Sequence, residues 1–350
     1  MLNTASSADP SSFPSIVGPD DTRRRRNVLS GVTPSGSLTL GNYLGALRRF
    51  VDGQSTTNGS FFVADLHALT TDHDPRTFQL LTLETATLFF AAGLDPDSAT
   101  VFVQSHVRAH VDLAYLLEST AYVGELSRMI QFKDKGGRPR TRASLFTYPC
   151  LMAADILLYD TDAVPVGGDQ DQHVELCRDL AERFNRAYGQ TFVVPRLEKA
   201  PLATRVTDLV DPSTKMSKSA ALSAAGVIRM LDAPDVIVRK INRAVTDSDA
   251  EVSYAPDRKP GVSNLIDIVA SLRGEDPDTV AAAHSTYREL KRSCADQVVS
   301  VLEPIQHRYR DLARHPAQLE AMLKTGADRA RASAEPVLKR ARENLGLIDL

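Results

Sequence analysis

Two lysines three residues apart, Lys215 and Lys218, stand in the string Lys215-Met216-Ser217-Lys218-Ser219, directly after Asp211-Pro212-Ser213-Thr214. Two ammonium groups in a loop of small residues can reach one polyphosphate together. There they would offset the negative charge that builds as pyrophosphate departs. By composition alone the segment is equally a solvated basic loop; the pentapeptide as a string is far more specific than its charge. A second segment, Pro34-Ser35-Gly36-Ser37-Leu38-Thr39-Leu40-Gly41-Asn42-Tyr43-Leu44-Gly45, is rich in small residues and sits between a strand-like and a helix-like stretch. Small residues let a ligand approach the backbone, and a helix N-terminus offers unpaired N–H groups and a positive dipole end to phosphate. It is neither a Walker A loop nor a GxGxxG fingerprint, and a glycine-rich turn with no ligand would read much the same. Met152 and Asp155 are three apart and share one face if their segment is helical. His106 and His110 could share a metal on a helix, but no acidic ligand accompanies them, so they read as a polar surface pair and no metal site is expected. Asp72-His73-Asp74, followed by Pro75, reads as a helix start.

The elements around these residues alternate. Val28–Val32, Phe61–Ala64, Val101–Val103 and Val164–Val166 are short β-rich runs. Helical stretches follow them at Gly41–Val51, at Arg76–Ala92 (stopped by Gly93), from about Asp112, and from about Asp171 to Tyr188. That alternation predicts an α/β fold, a Rossmann-like parallel sheet with crossover helices. Both phosphate-friendly segments then flank it. After about Ser223 the texture becomes helical: Val298, Val299, Val301, Leu302, Ile305 and Tyr309 recur near helical spacing, as do Leu319, Met322 and Leu323. The expected division is an extension over 1–26, a catalytic domain over 27–222 and an α-helical C-terminal domain over 223–350.

Composition narrows the partners. A chain of 350 residues with 43% apolar and 24% charged residues reads as a soluble protein of about two domains. Its formal net charge of −3 gives no global argument for nucleic acid, so an RNA partner would need a local patch. Cys150, Cys177 and Cys294 form no CxxC pair, which indicates neither disulfide framework nor thiolate zinc site and suits a reducing cytoplasm. No apolar run approaches the roughly 18 residues of a membrane span. The first 26 residues, ending in Arg23-Arg24-Arg25-Arg26, lack a secretory apolar core and read as a solvated, disordered tail. Tryptophan is absent.

Taken together, the two phosphate-friendly strings carry a resemblance. Thr39-Leu40-Gly41-Asn42 resembles the HIGH signature in its variant form, and Lys215–Ser219 the KMSKS signature, of class I aminoacyl-tRNA synthetases. Further strings make the chain similar to the bacterial-type tryptophan branch. These are Ser30–Gly36, Asp65-Leu66-His67-Ala68-Leu69-Thr70, Gly124–Met129, Tyr148–Tyr159, Val164–Gln170 and Ala244–Ser248. The resemblance runs from about Val28 to the C-terminus.

The resemblance implies site residues. Thr33, Pro34, Ser35, Gly41, Asn42, Gly167, Gly168, Asp169, Val206 and the loop residues Lys215, Met216, Ser217, Lys218 and Ser219 would bind ATP. Asp169 would face the ribose and the Val206 backbone the adenine, while Lys215 and Lys218 would act in catalysis. Asp155, Met152, Gln131, His67, Tyr148, Val164, Val166 and Gln170 would bind tryptophan, with His173 nearby. Tryptophan has a single side-chain donor, so its reader must accept without donating, as Asp155 can. An Asp155 left unpaired by phenylalanine would be costly; the plain alternatives for Asp155 are a helix N-cap or an ion pair. Thr33, Leu66 and Gly168 depart from residues common in relatives and lie close to the ligands.

The implied activity is tryptophan–tRNA ligation. ATP would be a substrate, with Mg²⁺ held mainly through its phosphates. L-tryptophan and tRNA(Trp) would be partners, the assembly a homodimer, and neither DNA nor membrane would be involved. Rival readings are a tyrosine–tRNA ligase, another adenylyltransferase, or a paralogue that binds tRNA without charging it. The Met152–Asp155 string and the exact KMSKS favour tryptophan over tyrosine, the helical C-terminal domain is not needed by another adenylyltransferase, and a non-charging paralogue would be expected to have lost a signature lysine.

Overall fold

The structure is a computed structural model that describes residues 25–136, 140–166, 171–199, 206–221 and 223–348. Five parallel strands form its sheet: β1 (Asn27–Val32), β2 (Asn58–Val63), β3 (Thr100–Val103), β4 (Ala163–Val166) and β5 (Arg196–Lys199), in the order β3-β2-β1-β4-β5. Strands buried on both faces need continuous apolar runs, and Phe61, Phe62 and Val63 in β2 and Val101, Phe102 and Val103 in β3 supply them. The winding reverses between β1 and β4. In open α/β sheets that reversal opens a ligand crevice at the carboxyl ends of the strands.

After β1 the chain enters α1 (Leu40–Asn42), a π-helical turn over Tyr43–Leu47, and α2 (Arg48–Gly53). After β2 come α3 (Asp65–Ala68) and α4 (Pro75–Ala92). The sequence-read helix start is present: Asp74 caps α4, its Oδ1 accepting from the Thr77 N–H at 2.8 Å. Gly93 ends the helix at φ 120°, a left-handed turn suited to glycine. Between β3 and β4 lie α5 (Ala109–Glu118), α6 (Val123–Leu126), α7 (Ile130–Lys135) and α8 (Ala143–Leu157), and α9 (Asp171–Tyr188) precedes β5. The expected strands and helices are all found within a few residues of their predicted limits. The strand β5, Arg-Leu-Glu-Lys, was not anticipated.

The C-terminal third is helical, as expected: α10 (Pro234–Asn242), α11 (Pro260–Arg273), α12 (Pro277–Ala282), α13 (Tyr287–Ala313) and α14 (Pro316–Asn344). These helices pack onto the sheet layers. One apolar layer joins Phe61, Phe89 and Val101 to Ile237, Leu265, Val298 and Leu302. The other joins Phe62 and Phe102 to Leu113, Leu157 and Phe184. Helix α14 contributes to both: Leu319 and Leu323 enter the first, Ala330, Ala334 and Leu338 the second. A Cβ at Gly326, midway along it, would sit 1.7 Å from the Val101 carbonyl oxygen of β3, so helix and strand meet backbone to backbone there.

Candidate active site

The segments that follow the strands gather at the carboxyl edge of the sheet. β1 runs into the Thr33–Thr39 loop, β2 into His67, and β3 into Gln104; β4 carries Val164. Asp155 projects from α8 beneath them.

Asp155 is almost fully buried, with 2% of its surface exposed, yet its carboxyl is held below the usual carboxylate range. Burial opposes ionisation most strongly, and the hydrogen bonds and positive character of His110 and His67 override it. Oδ1 accepts from Gln104 Nε2 at 2.7 Å and from His110 Nδ1 at 2.6 Å, and Oδ2 accepts from His67 Nε2 at 2.8 Å. Three donors thus occupy three of about four acceptor positions on a carboxylate.

The His67 ring meets Tyr148 edge-on, with centroids 6.5 Å apart. Tyr148 lies on α8 and its hydroxyl meets His173 Nε2 of α9 at 2.5 Å; burial pushes its pKa up to about 12, so it remains a phenol. Met152, half-buried, stands one turn before Asp155 on the same helix, Val164 is buried in β4, and Gln131 is half-buried on α7. The structure therefore brings Asp155, His67 and Tyr148 into one contiguous cluster. Val166 is described as backbone of β4 only, and Gly167, Gly168, Asp169 and Gln170 lie outside the described residues.

One expectation for this cluster is corrected. His106 is exposed, but His110 is not its surface partner: it is completely buried, beside the stacked rings of Phe62 and Phe102 at 5.9 and 5.8 Å. His110 and Gln104 were not singled out as site residues. Their four-residue and strand-end contexts look ordinary in sequence, and only the fold brings them to Asp155. A second consequence follows for an amino acid without a ring N–H. It would not leave Asp155 wholly unpaired, because three protein donors already serve it.

The two small-residue motifs touch each other. Thr39 caps α1 with a capping box, its Oγ1 accepting from Asn42 N at 3.3 Å while Asn42 Oδ1 accepts from Thr39 N at 3.0 Å. The Asn42 side-chain oxygen is therefore committed to the turn. Gly41 faces Val206 and Met216, with side-chain carbons 3.6 and 3.7 Å from where its Cβ would be. Met216 is buried and its N–H donates to the Val206 carbonyl at 3.1 Å, so that carbonyl is engaged within the protein. Lys215, Ser217 and Ser219 are exposed, and the Ser217 and Ser219 hydroxyls pair at 2.9 Å.

Lys218 instead folds inward. Its ammonium donates to the Thr33 carbonyl, and its own carbonyl lies where a Cβ on Gly36 would stand, 2.1 Å away. Only glycine fits under the loop in this position. Burial first, and then Lys215, lower the Lys218 pKa from 10.5 to about 8. Thr33 meets Lys218 through its backbone, so the unusual side chain there leaves this contact intact.

The family profile of tRNA synthetases class I (W and Y) matches residues 21–303. Among curated relatives, tryptophan–tRNA ligase 1 of Streptomyces avermitilis is 49% identical over 330 residues, which is 93% of this chain and 99% of that one. The tryptophan–tRNA ligase of Mycobacterium leprae is 47% identical over 92% of this chain and 96% of its own. Among solved structures, the tryptophanyl-tRNA synthetase of Mycoplasma pneumoniae superposes with a TM-score of 0.84 at 34% identity, covering 93% and 98% of the two chains. That of Campylobacter jejuni, complexed with ADP and tryptophan, superposes with a TM-score of 0.77 at 31% identity over 92% and 100%. One lysine of the pair folded onto a small-residue loop, a carboxylate set among ring side chains, and these likenesses lead to one assignment: the chain belongs to the tryptophan and tyrosine family of class I tRNA synthetases.

Proposed function

We propose that this chain activates L-tryptophan with ATP and transfers it to tRNA(Trp). The observation that carries the reading is the Asp155 cluster: a buried carboxylate, acceptor-only, beside Met152, His67 and Tyr148 at the sheet's carboxyl edge. That chemistry suits an indole with one donor and a flat apolar body. Full-length similarity to tryptophan–tRNA ligases supports it over the tyrosine reaction.

In the first step the tryptophan carboxylate attacks the α-phosphorus of ATP. A P–O bond forms there, the bond to the bridging oxygen breaks, and pyrophosphate leaves. In the second, the 2′-hydroxyl of the terminal adenosine attacks the activated carbonyl and AMP leaves. No protein nucleophile is required; positioning and charge carry the reaction. Lys215 and Lys218 act as the catalytic pair on the phosphates, with Met216, Ser217 and Ser219 shaping the loop. Thr33, Pro34, Ser35, Gly41, Asn42 and Val206 border the nucleotide, joined by Gly167, Gly168 and Asp169. Gln131, Val164, Val166 and Gln170 complete the amino-acid pocket. Mg²⁺ would arrive on the ATP phosphates and neutralise their charge.

The segment 27–222 serves as the catalytic unit, 223–350 as the anticodon reader, and 1–26 as an appended tail. A homodimer accounts for the exposed Tyr115, Tyr122 and Val123 of the α5–α6 region, 73%, 62% and 72% exposed. No helix among the described residues is long and apolar enough to cross a membrane; a substrate tRNA would call for a cytoplasmic location.

The test is ATP–pyrophosphate exchange with each amino acid in turn. Tryptophan should drive exchange and tyrosine should not. Comparable exchange with tyrosine, or none with any amino acid, would overturn the assignment.

A further inference from the structure

Behind the carboxylate lies a second layer of polar residues that the reaction does not use. Tyr159 is buried, and its hydroxyl lies 2.8 Å from His110 Nε2. His110 Nδ1 lies 2.6 Å from Asp155 Oδ1, which also accepts from Gln104. An ionised carboxylate can only accept, so Nδ1 carries the hydrogen. Burial and the negative charge of Asp155 raise the Tyr159 pKa well above its usual value, so its hydroxyl stays protonated and pairs with Nε2. Both ring nitrogens of His110 are thereby engaged and the ring is held in one orientation. The order is Tyr159 hydroxyl to His110 Nε2, and His110 Nδ1–H to Asp155 Oδ1.

We infer that His110, locked by Tyr159 and aided by Gln104, is a positioning residue for tryptophan specificity. Two donors fully occupy Oδ1 and fix the carboxylate plane. The acceptor position that remains is on Oδ2, on the side of His67, whose side chain is 17% exposed while that of His110 is wholly enclosed. The reader is therefore aimed by residues that never touch the substrate. Without His110 the carboxylate can turn about χ2. Burial then also favours its neutral form, whose hydroxyl can meet the indole donor to donor.

The inference rests on the tryptophan reading of the site, and the experiment separates the two. The probes are tryptophan and its benzothiophene analogue, which has sulfur in place of the ring N–H and nearly the same shape. The chain contains no tryptophan, so fluorescence excited at the red edge of the aromatic band comes from the ligand alone, and its change on binding reports occupancy. The analogue is read by competition. Wild type should prefer tryptophan by roughly 10- to 150-fold, the worth of a hydrogen bond to a charged group. His110→Leu should shrink that preference by about tenfold, leaving the KM for ATP unchanged. His110→Asn, which keeps a donor near Nδ1, should restore most of it.

Tyr159→Phe removes one hydroxyl and little volume; it should cut the preference in the same direction and decides the matter if His110→Leu does not fold. An unchanged preference in folded His110→Leu or Tyr159→Phe protein, with only a lower melting temperature, would make the layer merely structural and overturn the inference alone. If Asp155→Asn keeps the wild-type preference, the reading of the pocket fails and the inference with it.

Discussion

Lys218 shows how a single residue in this site holds two requirements in tension. In the proposed reaction it must be cationic beside phosphate, yet it is tucked against the Thr33 carbonyl, where burial and Lys215 bring its pKa to about 8. A bound triphosphate favours the charged amine and must raise that pKa. The sign follows from linkage: below about pH 8 the free protein already holds the proton, and ATP binding should be flat with pH. Above it, each binding event must take up a proton, so affinity should fall as pH rises, by at most about tenfold per pH unit. Phosphate oxygens are fully ionised well below this range and do not confuse the reading. Dissociation constants of a non-hydrolysable ATP analogue across the range would show the break, and Lys218→Arg should abolish it. A break that persists in Lys218→Arg belongs to another group. The KMSKS string singled Lys218 out for the phosphates. Its burial was not legible there, because that depends on Gly36, far away in sequence, admitting the loop carbonyl.

At the scale of elements, the strands with continuous apolar runs and the helices with clear punctuation could be read in advance. Asp74-Pro75 and Gly93 mark α4 by local chemistry alone. β5 escaped because Arg-Leu-Glu-Lys has no β-branched residue; its place at the sheet edge is given by pairing with β4. The burial of His110 escaped for a related reason. Four-residue spacing tells which residues share a helix face, but the face is assigned by what packs on it, here Phe62 and Phe102. Gly326 carries the same lesson into energetics. Glycine inside a helix costs about 1 kcal/mol relative to alanine, so by propensity Gly326→Ala should stabilise α14. The packing predicts the opposite: the new methyl would drive into the Val101 carbonyl, and a backbone atom cannot swing aside. A loss of about 3 kcal/mol is expected, the upper end for overpacking. Gly53→Ala, where the methyl would meet nothing within 4 Å, should be neutral or mildly stabilising. Urea titrations of both variants provide the check, and a stabilised Gly326→Ala would refute the close contact.

The whole molecule raises the question of whether the two textures of the sequence are two folding units. The change near Ser223 is real in composition, and the helices after it are real in structure. Their apolar faces, however, are not separate. Val227, Ile237, Leu265 and Leu302 share one layer with Val32, Phe61 and Phe89, and α14 crosses from that layer into the other. Polar ties run the same way. Arg308 Nε donates to the Ala91 carbonyl at 2.5 Å, Arg331 to the His106 carbonyl at 2.8 Å, and Arg340 Nε to the Thr191 carbonyl at 2.7 Å. Removing the C-terminal helices would uncover one face of the sheet and part of the other, so neither segment keeps its core alone. The expected outcome is one cooperative urea transition, with helical circular dichroism and the near-ultraviolet signal of the nine tyrosines falling together. Tryptophan and ATP should move that single midpoint upward as a unit, since both bind only the native state. Two transitions, with the helical signal lost first and the ligand shifting only the second, would show instead that the boundary near residue 222 divides the protein in energy as well as in sequence texture.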